Sequence, residues 1–168
     1  MKRWIKAIAL ALTAALLISL CGFSGECADI RQRVVRLHVL ANSDSETDQA
    51  LKLKVRDAVV EAAAGLFDGA EDADQALNLA REKLPELEEV ARQTVKAEGY
   101  DYPVKAKLVN MYFTTRSYED SVTLPAGMYN ALRITIGEAE GKNWWCVVFP
   151  PICVSAASGH KDLSDVLD

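Results

Sequence analysis

The sequence predicts an α+β domain, with a mainly antiparallel sheet of about four strands, helices packed on it and an export signal in front. Three observations lead to this fold class. The chain has 168 residues and half of them are apolar, which suits a single domain with its own core. Apolar residues alternate in residues 34–41 and again after residue 103, whereas the segment between them follows a helical period. The resulting order, β-α-α-β-β-β, is typical of helices packed on an antiparallel sheet.

The first 28 residues have the composition of a signal peptide. A basic start, MKRWIK, precedes an apolar stretch at residues 7–20, and small residues follow. As a helix this stretch is about 21 Å long, which is short of a hydrocarbon core of about 30 Å. We predict a signal peptide over residues 1–28, with an uncleaved anchor as the alternative. The cleavage site stays open: small residues favour a cut after Ser24, and Glu26 disfavours one after Ala28. A globular domain, residues 29–155, and a polar tail, residues 156–168, follow.

The charge balance argues against nucleic acid as a partner. The formal net charge is −5, and loss of residues 1–28 removes three basic side chains and one acidic one, which leaves −7. An acidic protein has no electrostatic footprint for a phosphate backbone. The sequence also lacks a cluster of lysine and arginine that would hold an anionic membrane.

The spacing of apolar residues predicts the first strand and the helical segments. VVRLHVLA (34–41) alternates as a strand, and a helix follows whose apolar stripe is Leu51, Val55, Val59, Ala62 and Leu66. A second helical region covers residues 72–98, and Pro85 either kinks it or splits it into two helices.

The second half of the chain has the pattern of strands. VKAKLVNMYFTTR (104–116), ALRITIG (131–137) and NWWCVVF (143–149) are strand-like. The short EAEGK loop between the last two predicts a β-hairpin.

The polar segment HVLANSDSETDQALKLKVRD (38–57) needs an explanation, and a metal site does not provide one. Its oxygen-bearing residues alternate from Asn42 as in a calcium loop, but the sixth and twelfth positions hold Thr47 and Leu53 where that loop needs Gly and Glu. Zinc is disfavoured because His38 has no nearby His or Cys. We expect neither a metal nor a cofactor.

Catalysis is the second interpretation of this segment. A secreted hydrolase could use His38 with Ser43 or Asp44, since a nucleophile needs a base within hydrogen-bond reach. No GxSxG elbow or oxyanion loop accompanies these residues, however. We therefore expect no catalytic residue and no small-molecule substrate, and keep the hydrolase as the alternative.

A helix cap explains part of the segment. Ser43 or Ser45 can cap the following helix, with Glu46 or Asp48 three residues later. The cap leaves unexplained a strand face with Arg36 and His38 and a helix face that carries Gln49, Lys52 and Arg56. These polar groups either support one another or form a recognition surface, and the sequence does not separate the two.

Three blocks of the chain resemble the stage II sporulation protein R family. They are RLHVLANSDSETDQALKLKVRDAV, LPAGMYNALRITIG and GKNWWCVVFPPIC, and the similarity covers residues 34–154 in order. The resemblance implies a signalling protein without an active site of its own. It implies export from the forespore into the intermembrane space between forespore and mother cell. There it would activate a membrane-embedded aspartic protease of the mother cell that processes the pro-sigma-E factor.

Activation of such a protease requires a surface that binds one of its states better than another. The candidate contacts are His38, Asn42, Asp44, Asp48, Gln49, Lys52 and Arg56, together with Trp144 and Trp145, because exposed tryptophan is a frequent interface anchor. Since the two tryptophans alternate across a strand, we expect one in the core and one available to a partner.

A disulfide between Cys146 and Cys153 is a separate hypothesis. Seven residues of straight strand span roughly 23 Å, so Pro150-Pro151 must turn the chain before the two can meet. Export allows such a bond. The alternative is a pair of buried thiols packed as small apolar groups.

Overall fold

The computed structural model describes residues 2–67, 69–118 and 122–150. In chain order its elements are α1 (Lys2–Gln32), β1 (Val35–Leu40), α2 (Glu46–Ala63), α3 (Ala73–Ala97), β2 (Val104–Phe113), β3 (Arg116–Tyr118), β4 (Val122–Leu124), β5 (Gly127–Ile136) and β6 (Asn143–Phe149). The predicted α+β class is confirmed. Helix α3 continues through Pro85, so the second helical region is one helix and is not split in two.

The main sheet has four strands in the order β2-β5-β1-β6. Strand β1 is parallel to β5 and antiparallel to β6, and β5 is antiparallel to β2, so the sheet is mixed but mostly antiparallel. The predicted hairpin between the last two strands is wrong, because β1 lies between them. Their connection therefore crosses two strand spacings, about 10 Å, which a two-residue turn cannot do.

Helices α2 and α3 cover one face of the sheet. Every second residue of β1 points toward them: Val35, Leu37 and Val39 are fully buried. The stripe predicted for α2 holds at Leu51, Val55 and Val59. At its C-terminal end Ala63 is buried while Ala62 is exposed. Small residues such as Ala76, Ala80 and Ala91 let α3 lie close to the rest of this core.

The opposite face of the sheet is covered over part of its area. A hairpin of the three-residue strands β3 and β4 and the end of α1 pack there over a second apolar cluster of Val34, Phe113, Leu124, Tyr129, Ala131 and Val147. Arg31, in the last turn of α1, donates to the carbonyl of Ala126 at 3.5 Å. The sheet therefore has one face under helices and one partly open face.

Helix α1 covers residues 2–28 of the predicted signal peptide, whose export and cleavage stay predictions. Within the described ranges, no helix combines the length and the apolar character that crossing a membrane requires. The predicted polar tail, residues 156–168, lies outside the described residues, as does Cys153.

Candidate functional site

The loop between β1 and α2 is held by hydrogen bonds to the loop between β5 and β6. The Asn42 side-chain oxygen accepts from the backbone N–H of Glu138 at 3.0 Å. Asp44 Oδ1 accepts from the backbone N–H of Lys142 at 2.6 Å. Two polar residues singled out in the sequence thus join segments nearly a hundred positions apart.

Two glycines permit this close approach of the loops. Gly137 has a positive φ of 59°, and a Cβ there would overlap the side-chain oxygen of Asn42. A Cβ on Gly141 would overlap the backbone carbonyl of Ser43. The junction therefore depends on glycine at both positions.

The predicted cap of α2 is confirmed at Ser45, whose Oγ accepts from the backbone N–H of Asp48 at 3.2 Å. The Asp48 carboxylate turns toward the preceding loop, where Oδ2 accepts from Ser43 Oγ at 2.5 Å and Asn42 Nδ2 at 2.9 Å. Only 4% of Asp48 is exposed. The hydrogen bond from Ser43 is the main reason that the pKa of Asp48 lies below its usual range.

Lys52 extends the same network one turn along α2. Its Nζ donates to Gln49 Oε1 at 2.6 Å and to the backbone carbonyl of Lys142 at 3.0 Å. Gln49 Nε2 in turn donates to the carbonyl of Ser43 at 2.8 Å. Burial lowers the pKa of Lys52. These side chains attach α2 to both loops.

Arg56 completes this face of α2 and contacts strand β6. Its guanidinium carbon lies 4.4 Å from the centroid of the Trp144 ring, and the group also pairs with Asp57 at 2.6 Å. Trp144 points to the helix side of the sheet and is partly exposed. We call the group Asp44, Gln49, Arg56 and Trp144 the α2–β6 surface, since each of these residues keeps some exposure.

His38 lies on the opposite face of the sheet, away from this surface. Its ring lies 6.0 Å from that of Phe113 and 6.2 Å from that of Trp145 between centroids, and 3% of the residue is exposed. Neither ring nitrogen has a hydrogen-bond partner. Burial first, and then the positive charges of Arg133 and Arg36, lower the pKa of His38 to about 4.

Arg36 is a structural feature that the sequence did not single out as a site. The residue is fully buried, with its guanidinium carbon 4.1 Å from the Phe113 ring centroid and 5.0 Å from that of Tyr129. Nη2 donates to the Tyr118 hydroxyl at 2.5 Å, while Nε and Nη1 have no partner. Strand alternation placed Arg36 beside His38, but nothing in the local pattern indicated that aromatic residues distant in sequence would enclose it.

Comparison with known proteins identifies the family of this chain. The family model for Stage II sporulation protein R (spore_II_R) matches residues 31–159. The chain belongs to the Stage II sporulation protein R family. A curated protein called Stage II sporulation protein R, from Bacillus subtilis (strain 168), is 40% identical over 124 residues, 74% of this chain and 55% of the relative. The chain thus spans about half the length of that relative. No solved structure matches. Membership supports a role in sporulation.

In this member of the Stage II sporulation protein R family, the predicted contact residues separate into two groups. His38, Asp48 and Lys52 are buried, so in this conformation they position other groups and do not reach a partner. Asn42, Asp44, Gln49, Arg56, Trp144 and Trp145 all retain some exposure. The tryptophans alternate as expected, with Trp144 on the helix side and Trp145 on the open face, and both are partly exposed.

The structure does not assemble the pair that the hydrolase alternative requires. His38 makes no hydrogen bond to Ser43 or Asp44. The Ser43 hydroxyl donates to Asp48, and Asp44 accepts from the backbone of Lys142. Among the residues that the structure describes, no group of three or more His, Cys, Asp or Glu side chains is arranged to hold a metal ion.

Cys146 lies on β6, buried on the helix side of the sheet. Because Cys153 lies outside the described residues, its pairing with Cys146 stays a prediction.

Proposed function

We propose that this chain is an exported sporulation signal that activates a protease. In this proposal it is made in the forespore and secreted into the intermembrane space. There it activates the membrane-embedded aspartic protease of the mother cell that processes pro-sigma-E. The observation that carries the proposal is membership of the Stage II sporulation protein R family over residues 31–159. The basic and apolar composition of residues 1–28 supports export.

The α2–β6 surface is the proposed contact with the protease. Its residues project from a scaffold that is held by buried hydrogen bonds, since Asp48 and Lys52 are buried and bonded to the loops on either side. A preorganised surface loses little conformational entropy on binding. It also combines a cation, a carboxylate and an indole, which suits directional recognition of another protein.

Activation follows if this surface binds the active state of the protease more tightly than the inactive state. Equal affinity for the two states would leave their ratio unchanged. A shift from one active molecule in a hundred to ninety-nine requires about 5.5 kcal/mol of differential binding. The small set of contacts on the α2–β6 surface would have to be joined by contacts elsewhere to reach that value.

Reconstitution in a non-sporulating host tests the proposal. The sigma-factor precursor and the membrane protease are expressed with and without this chain, directed outside the membrane, and precursor length is followed by immunoblot. Shortening that depends on the exported chain is the expected result. An unshortened precursor, with all three proteins present and the protease active with another activator, would contradict the proposal. Turnover of a generic ester or peptide by the purified chain would favour the hydrolase alternative.

A further inference from the structure

The open face of the main sheet carries a row of basic and aromatic side chains. The strand register aligns Lys107 of β2 with Arg133 of β5, Arg133 with His38 of β1, and His38 with Trp145 of β6. Lys107 is exposed, Arg133 and Trp145 are partly exposed, and His38 lies between them. Lys105, one step along β2 on the same face, is also exposed. We call Lys105, Lys107, Arg133, His38 and Trp145 the open-face row.

Several nitrogen atoms of this row are buried and have no acceptor. They are Nδ1 and Nε2 of His38, Nε of Arg133 and Nε1 of Trp145. Most buried side-chain polar atoms in proteins have a hydrogen-bond partner, and an unmade bond is costly. Four such atoms in one row, of which at least three are donors, therefore indicate that an acceptor belongs there.

The charged side chains of the row and those acting on His38 are all basic. In the described part of the chain, Lys105, Lys107 and Arg133 form no ion pair. The charges that act on His38 come from Arg133 and Arg36, and both are positive. The whole chain is acidic, with a net charge of −5, so this positive row is a local exception to its overall charge. An anion would complement it.

We propose that the open-face row binds an acidic segment of a protein partner, with one carboxylate on the partly exposed guanidinium of Arg133 and Lys107 beside it. Arg133 supplies a fork of N–H donors that suits a carboxylate, and Lys107 adds a flexible cation at the edge of the sheet. A protein segment fits better than an anionic membrane. The unpartnered donors are buried and directional, and the negative charge of the chain opposes close approach to an anionic bilayer.

Titration calorimetry with an acetylated hexaglutamate peptide tests this binding on the full chain without the protease, so the inference and the proposed function can fail separately. Binding should be saturable in about 20 mM salt and weaker at about 150 mM, where screening acts over roughly 8 Å. The K107Q/R133Q double variant should weaken it about tenfold, which corresponds to two modest charge contacts. The matched control is R81Q/K83Q, which removes two exposed basic side chains from helix α3.

A nuclear magnetic resonance measurement localises the peptide. Hexaglutamate should shift the imidazole signals of His38 and leave those of His160 unchanged. The inference would be overturned by any of three results: no saturable binding by the wild-type chain, equal binding by K107Q/R133Q, or unshifted signals of His38. Tighter binding to phosphatidylglycerol vesicles than to the peptide would overturn it in favour of a membrane.

Discussion

The guanidinium of Arg56 lies 4.4 Å from the centre of the Trp144 ring, so a side chain of α2 stacks on the second residue of strand β6. This contact joins α2, the helix that follows β1, to β6, which is an antiparallel neighbour of β1 in the sheet. The loops beneath it are joined by Asn42 and Asp44. The α2–β6 surface is therefore built from two segments that are distant in the sequence, and it exists only in the folded domain.

Replacement of Arg56 by alanine should affect activation more than stability. A cation–π contact at a partly exposed site contributes about 0.5–1 kcal/mol, so the free energy of unfolding should fall by that amount. If the protease contacts Arg56, precursor shortening in the reconstituted host should fall at least fivefold at equal protein level. R81A, on the exposed side of α3, is the control and should leave shortening unchanged. Wild-type shortening with R56A would remove Arg56 from the proposed contact.

Replacement of Gly141 by alanine should destabilise the loop junction. The added Cβ would overlap the carbonyl oxygen of Ser43, a backbone atom that cannot move aside like the end of a long side chain. We expect a loss of about 1–3 kcal/mol, as for other overpacked sites, measured by urea unfolding. G69A is the matched control, since nothing lies within 4 Å of its Cβ position. Equal midpoints for the two variants would show that the junction relaxes without cost.

Local patterns were sufficient to predict most elements of this fold. Alternation identified β1 and the later strands, the helical period identified α2 and α3, and Ser45 was among the predicted caps. The neighbours of each strand could not be predicted in this way. A short loop such as EAEGK favours a hairpin, but here β1 enters between β5 and β6. In that arrangement Asn42 and Asp44 bind backbone groups far away in sequence, and no local pattern records those bonds.

The exposure of the candidate contact residues could not be predicted from the sequence. Asp48 and Lys52 look like solvated helix residues in the sequence, yet they are buried because each has hydrogen bonds to a neighbouring loop. Arg36 and His38 alternate with apolar residues as an outward strand face would. They are buried because Phe113, from the far end of β2, packs against both.

Asp48 is expected to be the most sensitive polar residue of the network. D48A leaves the donors of Ser43 and Asn42 without their buried acceptor. An unsatisfied buried group should lower the free energy of unfolding by about 1–3 kcal/mol. Urea unfolding at pH 7 measures this loss. The folded pKa of Asp48 lies below its unfolded value, so its contribution is complete above the unfolded pKa and is lost as the pH falls through the folded one. The difference between D48A and wild type should therefore shrink below about pH 4.

An exposed acid provides the control for that experiment. D101N removes a carboxylate that lies at the surface, and its unfolding midpoint should stay close to wild type across the same pH range. A D48A protein as stable as D101N would mean that water replaces the carboxylate at no cost.

The bond predicted between Cys146 and Cys153 can be counted directly. In secreted protein denatured without reductant, neither cysteine should react with a thiol reagent, and both should react after reduction. The closed loop of eight residues would stabilise the fold by about 2.5 kcal/mol on the loop-entropy model, so C146A/C153A should unfold at lower urea. Two reactive thiols at these positions before reduction would establish the buried-thiol alternative. Peptide mapping separates them from Cys27, which is a free cysteine in the structure.

His38 should make the stability of the domain depend on pH between 5 and 7. Its pKa is about 4 in the folded protein and about 6.5 when unfolded, because the folded state buries the ring beside Arg133 and Arg36. Between these values the unfolded chain binds more protons, so stability is complete above pH 6.5 and is lost as the pH falls toward 4. From pH 7 to pH 5 the free energy of unfolding should drop by about 2 kcal/mol.

Replacement of His38 by leucine removes this titration and keeps a similar volume among the rings of Phe113 and Trp145. It also removes two buried nitrogen atoms that have no hydrogen-bond partner, so H38L should fold at pH 7. Urea midpoints should therefore be nearly the same at pH 5 and pH 7 for H38L and should differ for wild type. H160Q, which alters the histidine of the C-terminal tail, is the control and should show the same change of urea midpoint with pH as wild type. If the urea midpoint of H38L changed with pH as much as that of wild type, another group would bind the proton. His38 would then not be the cause of the pH dependence.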